Sequence, residues 1–282
     1  MSQDKRIMTV DVGNTSAKLT VMEGSDNVVS VTVAEVTQGA VTGMLQDTGA
    51  EGVISCSVGP DISGILAAVC ASRNLPYVSL DAYTPVPVEV DYDRAGLGAD
   101  RLAAAVGVAE PDRCWLIADA GTALTLDMTR GMTFAGGSIA PGMNMRFESL
   151  HNHTHRLPLV SPEGHAPLFA RDTAQAIRSG VIRGMAYETM SALGQFRQFC
   201  PDARLCVTGG DAPVLSRQLT IMNVPHTVCN NAVARGLVKI FNYCESLRVC
   251  SLKNVYARAV DFRGNLSGLR GSSLAAVTEE SG

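Results

Sequence analysis

The sequence predicts an α/β fold built from two duplicated halves with a cleft between them. Three observations predict it. Residues 6–80 read as three strand-like segments followed by alternating helix and strand; the same order recurs from Cys114; and an acidic, glycine-centred turn sits at the same place in each half, "VDVGNTSAKL" at 10–19 and "IADAGTALTL" at 117–126.

In the first half, "IMTVDV", "AKLTVMEG" and "VVSVTVAEV" are rich in Val, Ile and Thr and are punctuated by Gly, Asn and Asp, which predicts an antiparallel meander. "TQGAVTGMLQDTGA" has helical spacing, "EGVISCSVG" reads as a buried strand, "DISGILAAVCASRN" as a second helix and "LPYVSL" as a strand. Three strands and then alternation is the order of a ribonuclease-H-like half-domain. The second half repeats it with "CWLIADAG", "ALTLDMT" and "MTFAGGSIA", a helical region from about Asp172 to Phe199, and the strand "ARLCV" running into "TGGDA". Between them a Pro-containing extended stretch gives way to "DRLAAAVGVA", whose alanines favour helix, with Asp100 and Arg101 at its entrance. The expected domains are residues 1–114 and 115–245. Residues 246–282 are expected to be a weakly periodic, partly disordered tail with no assigned function.

Composition bounds the function. A chain of 282 residues that is 46% hydrophobic buries a full core, and its net charge of −4 with dispersed Lys and Arg argues against a nucleic-acid partner. No apolar run reaches the ~20 residues that span a bilayer, and "MSQDKRIMTV" lacks the long apolar stretch of a secretory signal, so no membrane partner and a cytoplasmic location are expected. The eight cysteines contain no C-x-x-C pair and several lie in apolar segments, which predicts reduced, mostly buried thiols. The alternate histidines of "HNHTH" have no nearby Cys or carboxylate ligand set, and are read as solvated or hydrogen-bonded.

In "DVGNTSAK" the strand ends at Asp11, and Gly13 lets the backbone N–H groups of Gly13, Asn14 and Thr15 converge on one anion, with hydroxyls from Thr15 and Ser16 and a compact positive charge from Lys18. A carboxylate at that strand end repels phosphate but can hold magnesium, which bridges phosphate oxygens, so the pairing suggests Mg-nucleotide. A lone D-x-G-N-T reads more readily as a hairpin turn; the second copy, Asp119, Gly121 and Thr122, changes that balance, because two facing cradles match the β- and γ-phosphates of ATP.

Paired D-x-G-x-T turns on duplicated halves resemble the acetate kinase, sugar kinase, Hsp70 and actin superfamily. Within it the chain resembles type III pantothenate kinase, through "DVGNTSAK", "GADR" (98–101), "DAGTALTLD", "GGSIAPGMNM" (136–145), "HTHRLPLV" (153–160), "TAQAIRSGVIRG" (173–184) and "TGGDA" (208–212). The resemblance implies phosphorylation of pantothenate by ATP with Mg²⁺, the first step of coenzyme A synthesis. It implies that Asp11, Val12, Gly13, Asn14, Thr15, Ser16, Ala17, Lys18 and Thr122 bind ATP. It places pantothenate at Gly98, Ala99, Asp100, Arg101 and Tyr92, with Asp100 as proton acceptor. It further implies a monovalent cation, K⁺ or NH₄⁺, at Asp119, and a homodimer with Thr173 near pantothenate at its interface.

The chemistry agrees. A primary alcohol attacking the γ-phosphate must lose its proton, and a carboxylate beside it both orients and accepts. Arg101 suits the pantothenate carboxylate, since a guanidinium grips a carboxylate with two parallel hydrogen bonds; the alternative is a structural ion pair with Asp91 or Asp93. The glycines of "GGSIAPGMNM" read as the substrate wall or as close backbone packing, and those of "TGGDA" as the adenosine side or as an ordinary strand-to-helix turn. Two other functions stay open: a kinase for another small hydroxy compound, since fold does not fix the acceptor, and a non-enzymatic accessory factor for transcription, against which the lack of a basic patch speaks.

Overall fold

The computed structural model describes residues 5–247. All but the first two residues of the expected tail therefore lie outside the described residues. Strands β1 (Arg6–Val12), β2 (Ala17–Glu23) and β3 (Asp26–Val33) form the meander, followed by α1 (Gln38–Thr48), β4 (Gly52–Ser57), α2 (Ser63–Ser72), β5 (Tyr77–Ser79), β6 (Glu89–Val90) and α3 (Ala99–Val108). The second series is β7 (Cys114–Ala120), β8 (Ala123–Arg130), β9 (Thr133–Pro141), α4 (Met143–Asn152), α5 (Thr173–Phe196), β10 (Arg204–Thr208), α6 (Ala212–Ile221), β11 (Thr227–Val228) and α7 (Ala232–Ser246).

The two sheets have one design. The first runs β3-β2-β1-β4-β5 and the second β11-β10-β7-β8-β9-β6. In each, the first three strands are antiparallel neighbours and the next two join in parallel on the far side of the first strand. The short β6 is the departure: it comes from the extended stretch before α3 and pairs with β9, so the chain laces the second sheet before it enters it.

Local signals set the helix ends. The Thr37 side chain accepts from the Ala40 N–H at the start of α1, and Asp172 accepts from Gln175 N–H at the start of α5. Each satisfies an N–H that the helix itself leaves unpaired.

Apolar faces then dictate the layering. Val10, Leu19 and Val53 pack one face of the first sheet against α1 and α2, while Ile7, Ile54 and Val78 pack the other against Leu102 and Val106 of α3 and Leu237 and Phe241 of α7. The second sheet meets the same α3 through Trp115, Ile117 and Phe134, and buries its outer face under α4, α5 and α6 around Leu116, Phe147 and Met185. Helices α3 and α7 therefore form a middle layer shared by both sheets. They approach at backbone distance, since a Cβ at Gly107 or Gly236 would collide with the carbonyls of Ala232 or Ala103. No helix of the described residues is long and apolar enough to cross a membrane.

Candidate active site

The ends of β1 and β7, the turns that follow them and the starts of four helices converge on one cavity of about 1030 Å³. Asp11, Gly13, Thr15, Ser16 and Lys18 line it from the first turn, and Asp119, Gly121 and Thr122 from the second. Helix N-terminal residues close it: Asp100 of α3, Asn144 of α4, Asp211 before α6 and Asn231 before α7. Unpaired N–H groups at helix starts favour anions, so the cavity is ringed by weakly positive backbone and carries carboxylates at its centre.

The same device holds each turn in place. The loop after β4 brings Gly59 so close that a Cβ there would stand 2.5 Å from the Gly13 carbonyl. The loop after β10 brings Gly209, at φ +97°, onto the Ala120 carbonyl and the Asp119 carboxylate, where a Cβ has no room. A side chain at either position would push the strand end out of the cavity.

Charges in the cavity are under-compensated. Burial pushes the Asp11 carboxyl up to about 6, a hydrogen bond from the Cys56 thiol to its Oδ1 (3.4 Å) pulls back, and the nearby Asp100 adds to the rise. Burial pushes Asp119 up to about 7, with Asp100, Asp11 and Asp127 all adding to it and Lys18 opposing. Lys18 Nζ itself donates to Asn231 Oδ1 at 2.6 Å, across the cleft mouth, and Asn231 adopts the left-handed conformation at φ 59°. Among the described residues no three His, Cys, Asp or Glu side chains close on a single point. A cation here takes one or two carboxylates and fills its remaining positions with other oxygens, which is how Mg²⁺ binds beside phosphates. The buried, mutually repelling carboxylates fit such a guest.

Arg101 is buried rather than open to the cleft. Its Nε and Nη2 grip the carboxylate of Asp127 on β8, with Nε–Oδ1 at 3.0 Å, and its guanidinium lies 5.6 Å from the Tyr92 ring centre and 5.8 Å from that of Phe134. The ion-pair partner is thus Asp127, not Asp91 or Asp93; the sheet delivers Asp127 to the foot of α3, whereas the strand-end loop carries Asp91 and Asp93 elsewhere. Tyr92, just past β6, stacks edge-on against Phe134 and is held beside the start of α3.

The cleft gathers the two turns and Asp100 but not every residue singled out in the sequence. Val12 and Ala17 are buried strand ends, Asn14 is exposed at the turn, and Gly98 and Ala99 support Asp100 without lining the cavity. Thr173 lies elsewhere, in a second, apolar pocket of about 600 Å³ with Pro141, Arg146, Leu150, Leu157 and Ile177. Helix α4 is the wall between the two: Asn144, Met145 and Glu148 face the cleft, and Arg146, Ser149 and Leu150 face the pocket. Sequence reasoning missed Asp127, Cys56, Cys229 and Asn231. Asp127 closes the quoted "DAGTALTLD", and the polar "CNN" just before the apolar "AVARGLV" marks a helix start, so signals existed for two of the regions.

Comparison with known proteins decides the family. The model of type III pantothenate kinase matches residues 7–193. The chain belongs to the type III pantothenate kinase family. A type III pantothenate kinase of Porphyromonas gingivalis is 38% identical over 180 residues, 62% of this chain and 71% of the relative. One of Phocaeicola vulgatus is 33% identical over 259 residues, 85% of this chain and 99% of the relative. Among solved structures, a protein assigned to the Baf family of transcriptional activators from Campylobacter jejuni superposes at TM-score 0.57 with 20% identity, over 85% of this chain and 99% of that one. A protein described as a 2-dehydro-3-deoxygalactonokinase from Sinorhizobium meliloti gives 0.51 with 16% identity, over 83% and 97%. These two share the fold of the pantothenate kinase chain, two ribonuclease-H-like halves around a cleft.

Proposed function

We propose that this cleft transfers the γ-phosphoryl group of ATP to the primary hydroxyl of pantothenate, giving 4′-phosphopantothenate in the first step of coenzyme A synthesis. The observation that carries the reading is the convergence of Asp100 with both turns on one cavity. The N–H groups of Asn14 and Thr15, the hydroxyls of Thr15 and Ser16, and Lys18 receive the phosphates, with Thr122 opposite; the Gly13 N–H donates instead to the Ser16 carbonyl (3.0 Å), so Gly13 closes the turn, and Val12 and Ala17 contribute only the strand ends that frame it. Lys18 leaves Asn231 to do so. Asp100 accepts a hydrogen bond from the pantothenate hydroxyl, aligns its oxygen with the γ-phosphorus and takes the proton as that oxygen bonds to phosphorus and the bridging oxygen leaves with ADP.

Asp127 occupies the Nε and Nη2 edge of the buried Arg101, so the pair acts from behind, fixing the start of α3 that carries Asp100 beside Tyr92, with Gly98 and Ala99 holding the helix start. Asp11 would hold Mg²⁺, which would supply charge neutralisation to the phosphates. Asp119, buried and without a lysine of its own, takes K⁺ or NH₄⁺. The apolar Thr173 pocket, with Ile139, Leu159, Leu168 and Phe169 exposed within a few residues in sequence of its lining, supports a homodimer bringing Thr173 to the substrate. The enzyme so described works on cytoplasmic metabolites.

The test is ADP release by the full chain with ATP, Mg²⁺ and K⁺, with pantothenate and with a panel of other small hydroxy compounds. ADP release that requires pantothenate, and that falls when K⁺ is replaced by Na⁺, is expected. No pantothenate-dependent release overturns the reading.

A further inference from the structure

Two cysteines that take no part in phosphoryl transfer meet at the cleft wall. Strands β10 and β11 run parallel with Cys206 beside Thr227 and Val207 beside Val228, and the Cys229 N–H continues the ladder onto the Val207 carbonyl at 2.9 Å. The next pair in that register sets Cys229 beside Thr208. Because side chains alternate along a strand, Thr208 and Cys206 share a face, so Cys229 comes to the side of the sheet that Cys206 occupies. The Cys206 thiol is buried among Ala104, Trp115, Ile117 and Phe134. Cys229 is half-buried and lines the cleft next to Thr208 and Asn230. One turn into α7, Arg235 Nη1 donates to the Cys229 sulfur at 3.7 Å.

We propose that Cys229 is a covalent modification site for low-molecular-weight disulfides, with Cys206 as its resolving thiol. Cys229 packs against the cluster that holds Cys206, and the guanidinium that donates to its sulfur stabilises a thiolate, the form that attacks sulfur. The neighbouring Cys206 lowers the Cys229 pKa most; burial works against it, and Arg235 adds to the lowering. The other touching pair, Cys114 and Cys200, lacks that support: burial pushes Cys114 up to about 11.

The chemistry balances without further reagents. The Cys229 thiolate attacks one sulfur of a disulfide RSSR, forming Cys229–S–SR and expelling RS⁻, which takes up a proton from water. Cys206 then bonds to the Cys229 sulfur and expels the second RS⁻, its proton leaving with that group as RSH. Two protein thiols are oxidised to one disulfide and RSSR is reduced to two RSH. Resting on the nucleotide reading of the cleft, the adduct at Cys229 stands where ATP enters, and bound ATP in turn shields the sulfur.

The experiment treats the full chain with oxidised glutathione near neutral pH and follows each cysteine by peptide mass spectrometry, with and without saturating Mg-ATP. Cys229 is expected to react at least about tenfold faster than Cys114 or Cys200, because a guanidinium donates to its sulfur. The parent should yield an internal Cys206–Cys229 disulfide, and Cys206→Ser should accumulate the glutathione adduct on Cys229 instead. Mg-ATP should slow both. Equal rates at the three cysteines overturn the site, and a stable glutathione adduct in the parent overturns the resolving role of Cys206. The readout needs no turnover, and ATP binding is measured separately by calorimetry. Absence of ATP binding would therefore defeat the nucleotide reading while the thiol result still decides the modification site.

Discussion

The two turns share a backbone and differ in their charges, and the strand registers show where. In the first half Asp11 faces Lys18 across β1 and β2, and Thr9 faces Thr20. In the second half Asp119 faces Thr125, and Ile117 faces Asp127. Thr125 thus stands where Lys18 stands, and Asp127 where Thr20 stands. One half puts a positive charge on its second strand and keeps it in the cleft; the other puts a negative charge two pairs further on and buries it against Arg101 from the middle layer. The third strand partner differs as well, Cys56 beside Asp11 and Thr208 beside Asp119. The two halves share their geometry, and exchanges at three register positions divide the charges between them.

The largest break in that division is at its shared centre. Asp100→Asn is expected to keep ATP affinity, measured by calorimetry, and to lower kcat by about 10²- to 10⁴-fold, the usual loss with a general base. Activity within a few-fold of the parent would remove Asp100 from proton transfer.

Asp127→Ala should be the most destabilising change in the second half. Arg101 and Asp127 are both almost fully buried, and leaving one charge of a buried pair uncompensated costs about 3–5 kcal/mol. Denaturant melts read the loss; among variants still folded, the KM for pantothenate should rise while that for ATP holds. Equal changes in both would mean that the pair supports the cleft as a whole.

Lys18→Met removes the positive charge from the first turn. A hydrogen bond to a charged group contributes about 1.5–3 kcal/mol, so the KM for ATP should rise by roughly 10- to 100-fold. Thr125→Lys, which copies the first turn into the second, should abolish the response to K⁺.

The pH dependence sharpens the contrast further. Asp119 at about 7 and Asp11 at about 6 both lie above the ordinary carboxylate range, chiefly through burial. The fold therefore favours their protonated forms. Their stabilising contribution is complete below about pH 4 and is lost as pH rises through 6 and 7. Asp119→Asn should raise the stability of the cation-free protein at pH 8 by about 1–3 kcal/mol, since each pKa unit corresponds to about 1.4 kcal/mol, and should leave it unchanged at pH 4. Added K⁺ should raise the Tm of the parent at pH 8 and not of the variant. The smallest effect is expected from Cys56→Ala, which deletes the hydrogen bond to Asp11 and should move the acid limb of kcat/KM upward by a few tenths of a pH unit.

Particular residues show how far the chain could be read without coordinates. The opening meander and the alternation after it, the repeat as far as "ARLCV", the helix entered at Asp100 and both turns follow from alternation, alanine content and turn chemistry, because those signals are local; α6, β11 and α7 are not read from the sequence. The partner of Arg101 does not follow. Asp91 and Asp93 are nearer in sequence than Asp127, yet antiparallel pairing of β8 with β7 and its neighbour β9 carries Asp127 under α3. Thr173 is a similar case: its helix was legible, but only the position of α4 shows that it opens into a separate pocket.

By itself the sequence determined which residues end strands, which turns can present N–H groups to an anion, and where helices begin, since each depends on a few neighbouring side chains and dihedral preferences. Tertiary structure alone decided which charges meet. It put Cys56 on Asp11, Asn231 on Lys18, Asp127 on Arg101 and Cys206 on Cys229, contacts that span from 23 to 213 residues of chain. Register, layering and the glycine-mediated approach of α3 and α7 fix these pairings. Burial then sets their cost, because a carboxylate or thiol takes its charge state from everything packed around it, and no stretch of sequence contains that neighbourhood.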